Sequence, residues 1–254
     1  LGWGWWGKWD QENERDFVAR ERVDMSGPRV TSGEDSKQDY ETPDDLMASV
    51  EKRFGQVKFD LAAHRGNKKH ARYFAPEVLI ESFDPAKMNV ELFVESMVAK
   101  GANLEKVQNA MKSLEGRKGL VNVKNDDTEA YALNALKQDW ALLSMKFKDG
   151  DAPGLLWLNC EFGDVRTWAE KCQAEGKRGA NIVLLTPAMV GSNWYRDLIA
   201  GVSDVYHMNG RVSFDGRNVY PKDTMLSHFH GKSSGRVHVW KWKENKVYHE
   251  WKVA

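Results

Sequence analysis

The chain has 254 residues, 41% of them hydrophobic and 29% charged, and its 37 Lys and Arg balance its 37 Asp and Glu to a formal net charge of zero. That length suits one large α/β domain with an insertion, while zero net charge excludes a global pull toward nucleic acid and leaves phosphate binding to a local basic patch. Two cysteines, Cys160 and Cys172, exclude a disulfide framework and fit a reduced, cytoplasmic setting, and neither a signal peptide nor an apolar run near the ~20 residues of a membrane span is visible.

Residues 1–40 read as an N-terminal arm and residues 41–254 as the main domain. The arm opens with Trp3, Trp5, Trp6 and Trp9 between glycines. Such rings either pack onto the domain or stack on bases or a partner chain. Residues 10–40, rich in charge with Ser, Gly and Pro, read as a loosely structured lead-in. Helix signals begin at Thr42-Pro43-Asp44-Asp45. Thr42 is a capping residue type, Pro43 suits a first helical position, and the acids favour the positive end of the dipole. Leu46, Val50 and Phe54 then share a face, and Gly55 stops the helix.

A strand is predicted over 57–61. Residues 80–135 break the rhythm with helically spaced Leu92, Phe93 and Met97, then Leu104, Val107, Met111 and Leu114, which predicts an inserted helical subdomain. Its Lys106, Lys112, Arg117, Lys118 and Lys124 could meet DNA, but Glu91, Glu95, Glu105, Glu115, Asp126, Asp127 and Glu129 offset them. A lid or structural appendage is the alternative. Strands over 154–158 and 181–185 flank a helix started by Asp164, the spacing of a right-handed βαβ unit. Weaker strand signals lie at 203–207, 210–214 and 236–242. Lys246–Trp251 pairs with the last of these as a C-terminal β-hairpin turning at Glu244-Asn245.

Two of these strands end abruptly in polar residues, one at Asp60-Leu61-Ala62-Ala63 and one at Asn159-Cys160-Glu161-Phe162. In open α/β sheets, ligands bind in the crevice outside the carboxyl ends of strands. A small-residue turn lets a cofactor approach the backbone, and an acid can meet an ammonium or ribose hydroxyls. The same Asp60 can simply cap a turn over packing alanines. His64, Lys68, Lys69, His70 and Arg72 follow as a basic cluster, read either as a phosphate contact or as a solvated loop. His228 and His230 lack a Cys partner at metal spacing, so no metal ligands are assigned, and no Ser-His elbow for hydrolysis is present.

The order of these segments resembles the phage-type DNA N6-adenine methyltransferases. The resemblance is carried by Thr42-Pro43, by Phe59-Asp60-Leu61-Ala62-Ala63 with Asn67, by Tyr73-Phe74 and by Asp139-Trp140. It continues through Leu158-Asn159-x-x-Phe162, Trp168-Ala169-x-Lys171, Leu184-Leu185-x-Pro187, Gly210-Arg211-Val212-Ser213-Phe214 and Met225-Leu226. It implies a Rossmann-like α/β methyltransferase fold with a mostly parallel sheet. The implied cofactor is S-adenosylmethionine and the partner double-stranded DNA, with methyl transfer to the N6 amine of adenine as phage protection against host restriction. Thr42, Pro43, Asp60, Ala62, Ala63 and Asn67 would then border the cofactor, and Asp139 would approach its adenine ring or serve only as a helix-end acid.

The chain departs from the family at the second strand end. Where the family has Asn or Asp, Pro-Pro and Tyr or Phe, this chain keeps Asn159 and Phe162 but has Cys160 and Glu161 for the prolines. Asn159 and the carbonyl of Cys160 can still accept from the target amine, and Phe162 can still stack on a flipped base. Two fixed φ angles are lost and a carboxylate is gained. Glu161 pairs with Arg166 or Lys171, assists at the base, or marks a site that no longer methylates. Cys160 reads as a small buried residue rather than a nucleophile. A catalytically silent DNA-binding protein of the same fold and a cytosine-N4 methyltransferase are the rival functions.

Overall fold

Helix α1 (Asp44–Phe54) forms where the sequence places it, with Leu46, Met47 and Val50 buried. Pro43 enters it at φ −62° and Gly55 leaves it at φ 102°, a left-handed value that glycine adopts without strain. The structure, a computed structural model, describes residues 41–251. These belong to one unit running from Lys37 onward. The Trp-rich arm and the lead-in over 10–40 lie outside the described residues.

After β1 (Val57–Asp60) the chain makes the short strand β2 (Phe74–Ala75) and enters the insert. Its order is β3 (Val78–Phe83), α2 (Val90–Ala99), α3 (Leu104–Leu114) and β4 (Gly119–Lys124). The strands pair antiparallel. Leu79, Phe83, Val121 and Val123 turn inward onto Phe93, Met97, Val107 and Met111, a core separate from that of the main sheet. Asn89 and Asn103 cap the two helices by accepting from Leu92 N at 2.8 Å and Lys106 N at 3.2 Å. The expected helical insert over 80–135 has its two helices, with two strands added to make a β-α-α-β unit over 78–124. Its six-residue strands are half exposed, and so short an alternation is lost among helically spaced neighbours.

Two residues stitch the stem of this unit. Asn125 N donates to Glu77 O at 2.9 Å and its side chain donates to Pro76 O at 2.9 Å. Asp127 accepts from Tyr73 Oη at 2.7 Å and from Arg65 at 3.0 Å. The chain then adds β5 (Ala132–Leu133) alongside β2 and the short helix α4 (Trp140–Lys146).

The main sheet is completed by β6 (Leu155–Asn159), helix α5 (Val165–Lys177), β7 (Asn181–Pro187), helix α6 (Asn193–Leu198), β8 (Asp204–Met208), β9 (Thr224–Phe229), β10 (Val237–Lys241) and β11 (Lys246–Trp251). Its seven strands run in the order β1-β6-β7-β9-β8-β10-β11. The β1-β6, β6-β7 and β8-β10 pairs are parallel, and the β7-β9, β8-β9 and β10-β11 pairs antiparallel. Five strands therefore share a direction while β9 and β11 oppose them. The sheet is thus mostly parallel in strand direction, as expected, but mixed, because the chain after β8 turns back through β9 into the gap beside β7. The expected strand over 210–214 is part of that connecting loop.

Alternation along β6 divides the molecule into layers. Leu155 and Trp157 face α1 with Val183, Leu185, Leu226 and Trp240. Leu156 and Leu158 face α4, α5 and α6 with Trp140, Ala169, Cys172, Ile182 and Leu198. Helix α5 lies so close that a Cβ on Gly176 would stand 2.9 Å from Phe229 Cβ. The C-terminal hairpin forms as expected, but β10 is interior, with Trp240 and Trp242 fully buried. No helix among the described residues is long and apolar enough to cross a membrane.

Because Glu77 and Asn125 are already backbone-bonded, replacing residues 78–124 by a few Gly and Ser should leave the main sheet intact, since closing so short a connection costs little. Thermal melting followed by circular dichroism should still show one cooperative transition. Loss of that transition would make the insert part of the main core.

Candidate functional site

The carboxyl ends of β1 and β6 meet directly, for Asp60 lies opposite Trp157 and Leu61 N donates to Trp157 O at 2.8 Å. Asp60 is buried and its carboxylate turns into its own loop. Oδ2 accepts from Lys69 N at 2.9 Å and Oδ1 from Ala62 N at 3.4 Å. Burial pushes its pKa up to about 6, partly offset by those two N–H groups and the Lys69 charge. Asn67 closes the same loop by accepting from His64 N at 2.8 Å. Ala63 is buried beneath it and bonds Phe74 O at 3.1 Å, and Ala62 is half-buried. Asp60 and Asn67 thus shape the turn that the family resemblance assigns to the cofactor, and both carboxylate oxygens of Asp60 accept from backbone N–H groups of that loop.

Asn159 ends β6 on the face shared by Leu155 and Trp157, toward the start of α1. Its Nδ2 donates to Thr42 Oγ1 at 3.1 Å. Thr42 therefore does not cap α1; Pro43 is the capping position and no side chain serves it. Lys69 reaches across from the β1 loop and bonds Glu41 at 2.7 Å and Asp44 at 2.8 Å, on either side of Thr42 and Pro43. Thr42, Pro43, Asp60, Ala62, Ala63, Asn67 and Asn159 are brought to one edge of the sheet.

Cys160 is buried in the layer of α4 to α6, and burial pushes both its thiol and that of Cys172 well above the ordinary range. The thiolate is the reactive form, so neither side chain is set up as a nucleophile. Glu161 is exposed on the turn, where its carbonyl accepts from Asp164 N at 3.2 Å. Its expected partners turn elsewhere, Arg166 to Glu170 and Asp197, and Lys171 to Glu175. Phe162 is half-buried, with ring centroids 6.1 Å from Phe214 and 5.7 Å from Tyr220, both edge-on. The loop carrying those two rings is ordered by Asp215, which accepts from the backbone of Asn218 at 2.7 Å and Arg217 at 2.9 Å and whose pKa falls to about 2 for that reason. Tyr220 was not legible in the sequence, because an aromatic in an irregular loop has no periodic neighbours to mark it.

Asp139 lies elsewhere. It caps α4 by accepting from Leu142 N at 2.8 Å and pairs at 2.6 Å with Arg178, the residue that ends α5 just before β7 begins. That places it toward the amino ends of the strands, so the expectation that it borders a cofactor at the carboxyl edge is corrected to the helix-end role. The basic cluster after β1 is engaged internally too. Arg65 and Lys68 pair with Glu129, Lys69 with Glu41 and Asp44, and Arg72 lies 4.4 Å over the Phe147 ring. In the insert, Lys106, Arg117 and Lys118 stand near Asp126, Glu115 and Asp84.

His228 bonds Asn181 at 2.7 Å and His230 bonds Asp204 at 3.0 Å. Burial drives the pKa of His228 down to about 3. A cleft of about 300 Å³, lined by Gln173, Lys177, Phe229 and His230 among others, also sits at the amino-end side.

No family model matches the chain, and no curated protein matches it. Among solved structures the chain is similar to the Type IIL restriction-modification enzyme MmeI in complex with DNA, at TM-score 0.34 and 14% identity over 80% of this chain. It spans 35% of the length of that enzyme's chain.

Two outcomes follow from the burial at these strand ends. The pKa of Asp60 is raised in the fold, so between about pH 4 and 6 the folded protein holds a proton that the unfolded chain has released. Stability from this group is present below about pH 4 and falls as pH rises through 6. Urea titrations across that window should show Asp60→Asn flattening the decline; equal slopes in both proteins would mean that Asp60 does not titrate there. Separately, Cys160 and Cys172 should resist alkylation at pH 8 until denaturant is added, as followed by intact mass.

Proposed function

We propose that the protein transfers a methyl group from S-adenosylmethionine to the exocyclic N6 amine of adenine in double-stranded DNA, on a Rossmann-like scaffold. The phage protection role implied by the family resemblance is part of this proposal. The observation that carries the reading is the placement of Asn159 at the end of a buried strand that pairs with β1, hydrogen-bonded to Thr42 and three residues before the half-buried Phe162. The motif order assigns amine binding to Asn159 and stacking to Phe162, although Cys160 and Glu161 replace the two prolines.

The turn after β1 fits the cofactor in kind, since Asp60 and Asn67 pre-shape it and the small side chains of Ala62 and Ala63 put little bulk on it. The backbone of that turn and Asn67 would hold the cofactor, with Thr42 and Pro43 at its flank. Asp60 would act through the shape of the loop. S-adenosylmethionine, when bound, supplies an electrophilic methyl group and leaves as a neutral thioether. The chain's own residues do the rest. Asn159 Oδ1 and the carbonyl of Cys160 accept the two N–H bonds of the adenine amine, orient its lone pair for in-line attack, and ease loss of one proton to solvent. Phe162 stacks on the extruded base, with Phe214 and Tyr220 bracing its edge. Cys160 acts through its backbone, and Glu161, exposed at the turn, stands at the mouth of the base site.

The replaced prolines favour a second reading, a protein of the same fold that binds DNA without methylating it. A cytosine-N4 amine would be held by the same groups and is distinguished by the product. Nucleoside mass spectrometry of DNA from expressing cells should reveal N6-methyladenine, absent with Asn159→Ala. Calorimetry should show S-adenosylmethionine binding unchanged in that variant. Phe162→Ala should weaken base capture by about 1–3 kcal/mol. Cofactor binding with no methylated base would support the silent reading, and loss of both would remove the family from consideration.

A further inference from the structure

Thr42 stands between two devices that the proposed reaction does not itself explain. Its side chain is buried, and its hydroxyl receives the amide N–H of Asn159 at 3.1 Å across 117 residues of sequence. Its backbone is flanked by the two carboxylates that Lys69 grips, Glu41 and Asp44. Lys69 is in turn held through its own backbone N–H by the buried carboxylate of Asp60 at 2.9 Å. Hydrogen bonds joined by short covalent stretches therefore link the end of β1, through Lys69 and the residues that lead into α1, to the end of β6.

The chemistry of an amide side chain makes this contact consequential. The Asn carboxamide offers an NH₂ donor at one end and a carbonyl acceptor at the other. An amine substrate needs the acceptor. Rotated by half a turn, the same side chain would present N–H to N–H and repel the group it must hold. Thr42 Oγ1 accepts from the NH₂ end, which sets the carbonyl oxygen at the opposite end of the carboxamide; a hydroxyl can also donate, so it is the acceptor role of Thr42 that carries the orientation.

We propose that Thr42 is a positioning residue whose hydroxyl holds the amide of Asn159 with its carbonyl oxygen presented to the substrate amine, and that Lys69 keeps Thr42 in place by clamping Glu41 and Asp44. The inference rests on the amino-methyl transfer proposed above and assigns to Thr42 an orienting task in place of helix capping. It also couples the two strand ends: a disturbance of the β1 turn reaches Asn159 through Lys69.

The test compares the wild-type protein with Thr42→Val and Thr42→Ser. Valine matches threonine in shape and lacks the hydroxyl, whereas serine keeps it. Thr42→Val should lower kcat on unmethylated DNA on the order of tenfold to a hundredfold, with S-adenosylmethionine affinity by calorimetry within about twofold of wild type. Thr42→Ser should recover most of the lost kcat. Solvent exchange of the Asn159 side-chain amide protons, followed by NMR, should be markedly faster in Thr42→Val than in the other two proteins. An unchanged kcat in Thr42→Val overturns the proposal, as does a loss of cofactor affinity that accounts for the whole effect, or a serine variant no better than valine. If the wild type transfers no methyl group, the functional reading fails on that result alone. Amide exchange then decides the contact by itself: equal rates in the wild type and Thr42→Val overturn the hold on Asn159.

Discussion

The rest of the structure depends on β6 being packed on both faces while it pairs in parallel with β1 and β7. Leu155, Leu156, Trp157 and Leu158 are all fully buried. At about 1.5–3 kcal/mol for burying each such side chain, this strand alone supplies a large part of the driving force that fixes the register. With the register fixed, alternation sends Asn159 toward α1 and Cys160 into the opposite layer. A one-residue slip would exchange them, and the amide would lose Thr42 while the thiol would face the site.

Asn159, half-buried at the end of this strand, gains from a partner, and the buried Thr42 hydroxyl needs one, because an unmet buried group costs about 1–3 kcal/mol. The start of α1 meets that demand through Thr42. The same turn is tied to the β1 loop by Lys69, whose exposed partners Glu41 and Asp44 would contribute little in isolation. Their value lies in geometry, since they hold in place a hydroxyl that is buried. Asp60 is a different case. Burial alone would favour its protonated form, and two backbone N–H groups keep the cost within bounds. A buried carboxylate serves here to fix a loop of small residues.

The two halves of the sheet differ in what they carry. The β1 and β6 strands end in residues gathered at the candidate site, whereas β8, β10 and β11 extend the sheet and bury Trp240 and Trp242. The reversed strand β9 joins them. Its long connection from β8 crosses the same edge and delivers Phe214 and Tyr220 to Phe162. The insert is closed by its own core and tied back by Asn125 and Asp127, so its attachment places no demand on the register of the main sheet.

The sequence by itself determined the elements whose signals are local. Pro43, the acids after it and Gly55 bounded α1; the apolar runs at 57–61, 154–158 and 181–185 marked the three adjacent parallel strands; the turn at Glu244-Asn245 marked the final hairpin. It also brought Asp60 and Asn159 into view, since a polar residue closing an apolar run is visible without coordinates. Only the tertiary structure decided what those residues touch. Asp60 turned into its own loop, Asp139 went to Arg178 at the other end of the sheet, and Thr42 left its helix for Asn159. β9 slipped between β7 and β8, and the insert gained two strands. The reason is common to all of these: periodicity and capping are fixed by neighbours a few residues away, whereas a side chain's partner is fixed by which distant segment packing brings within hydrogen-bonding reach.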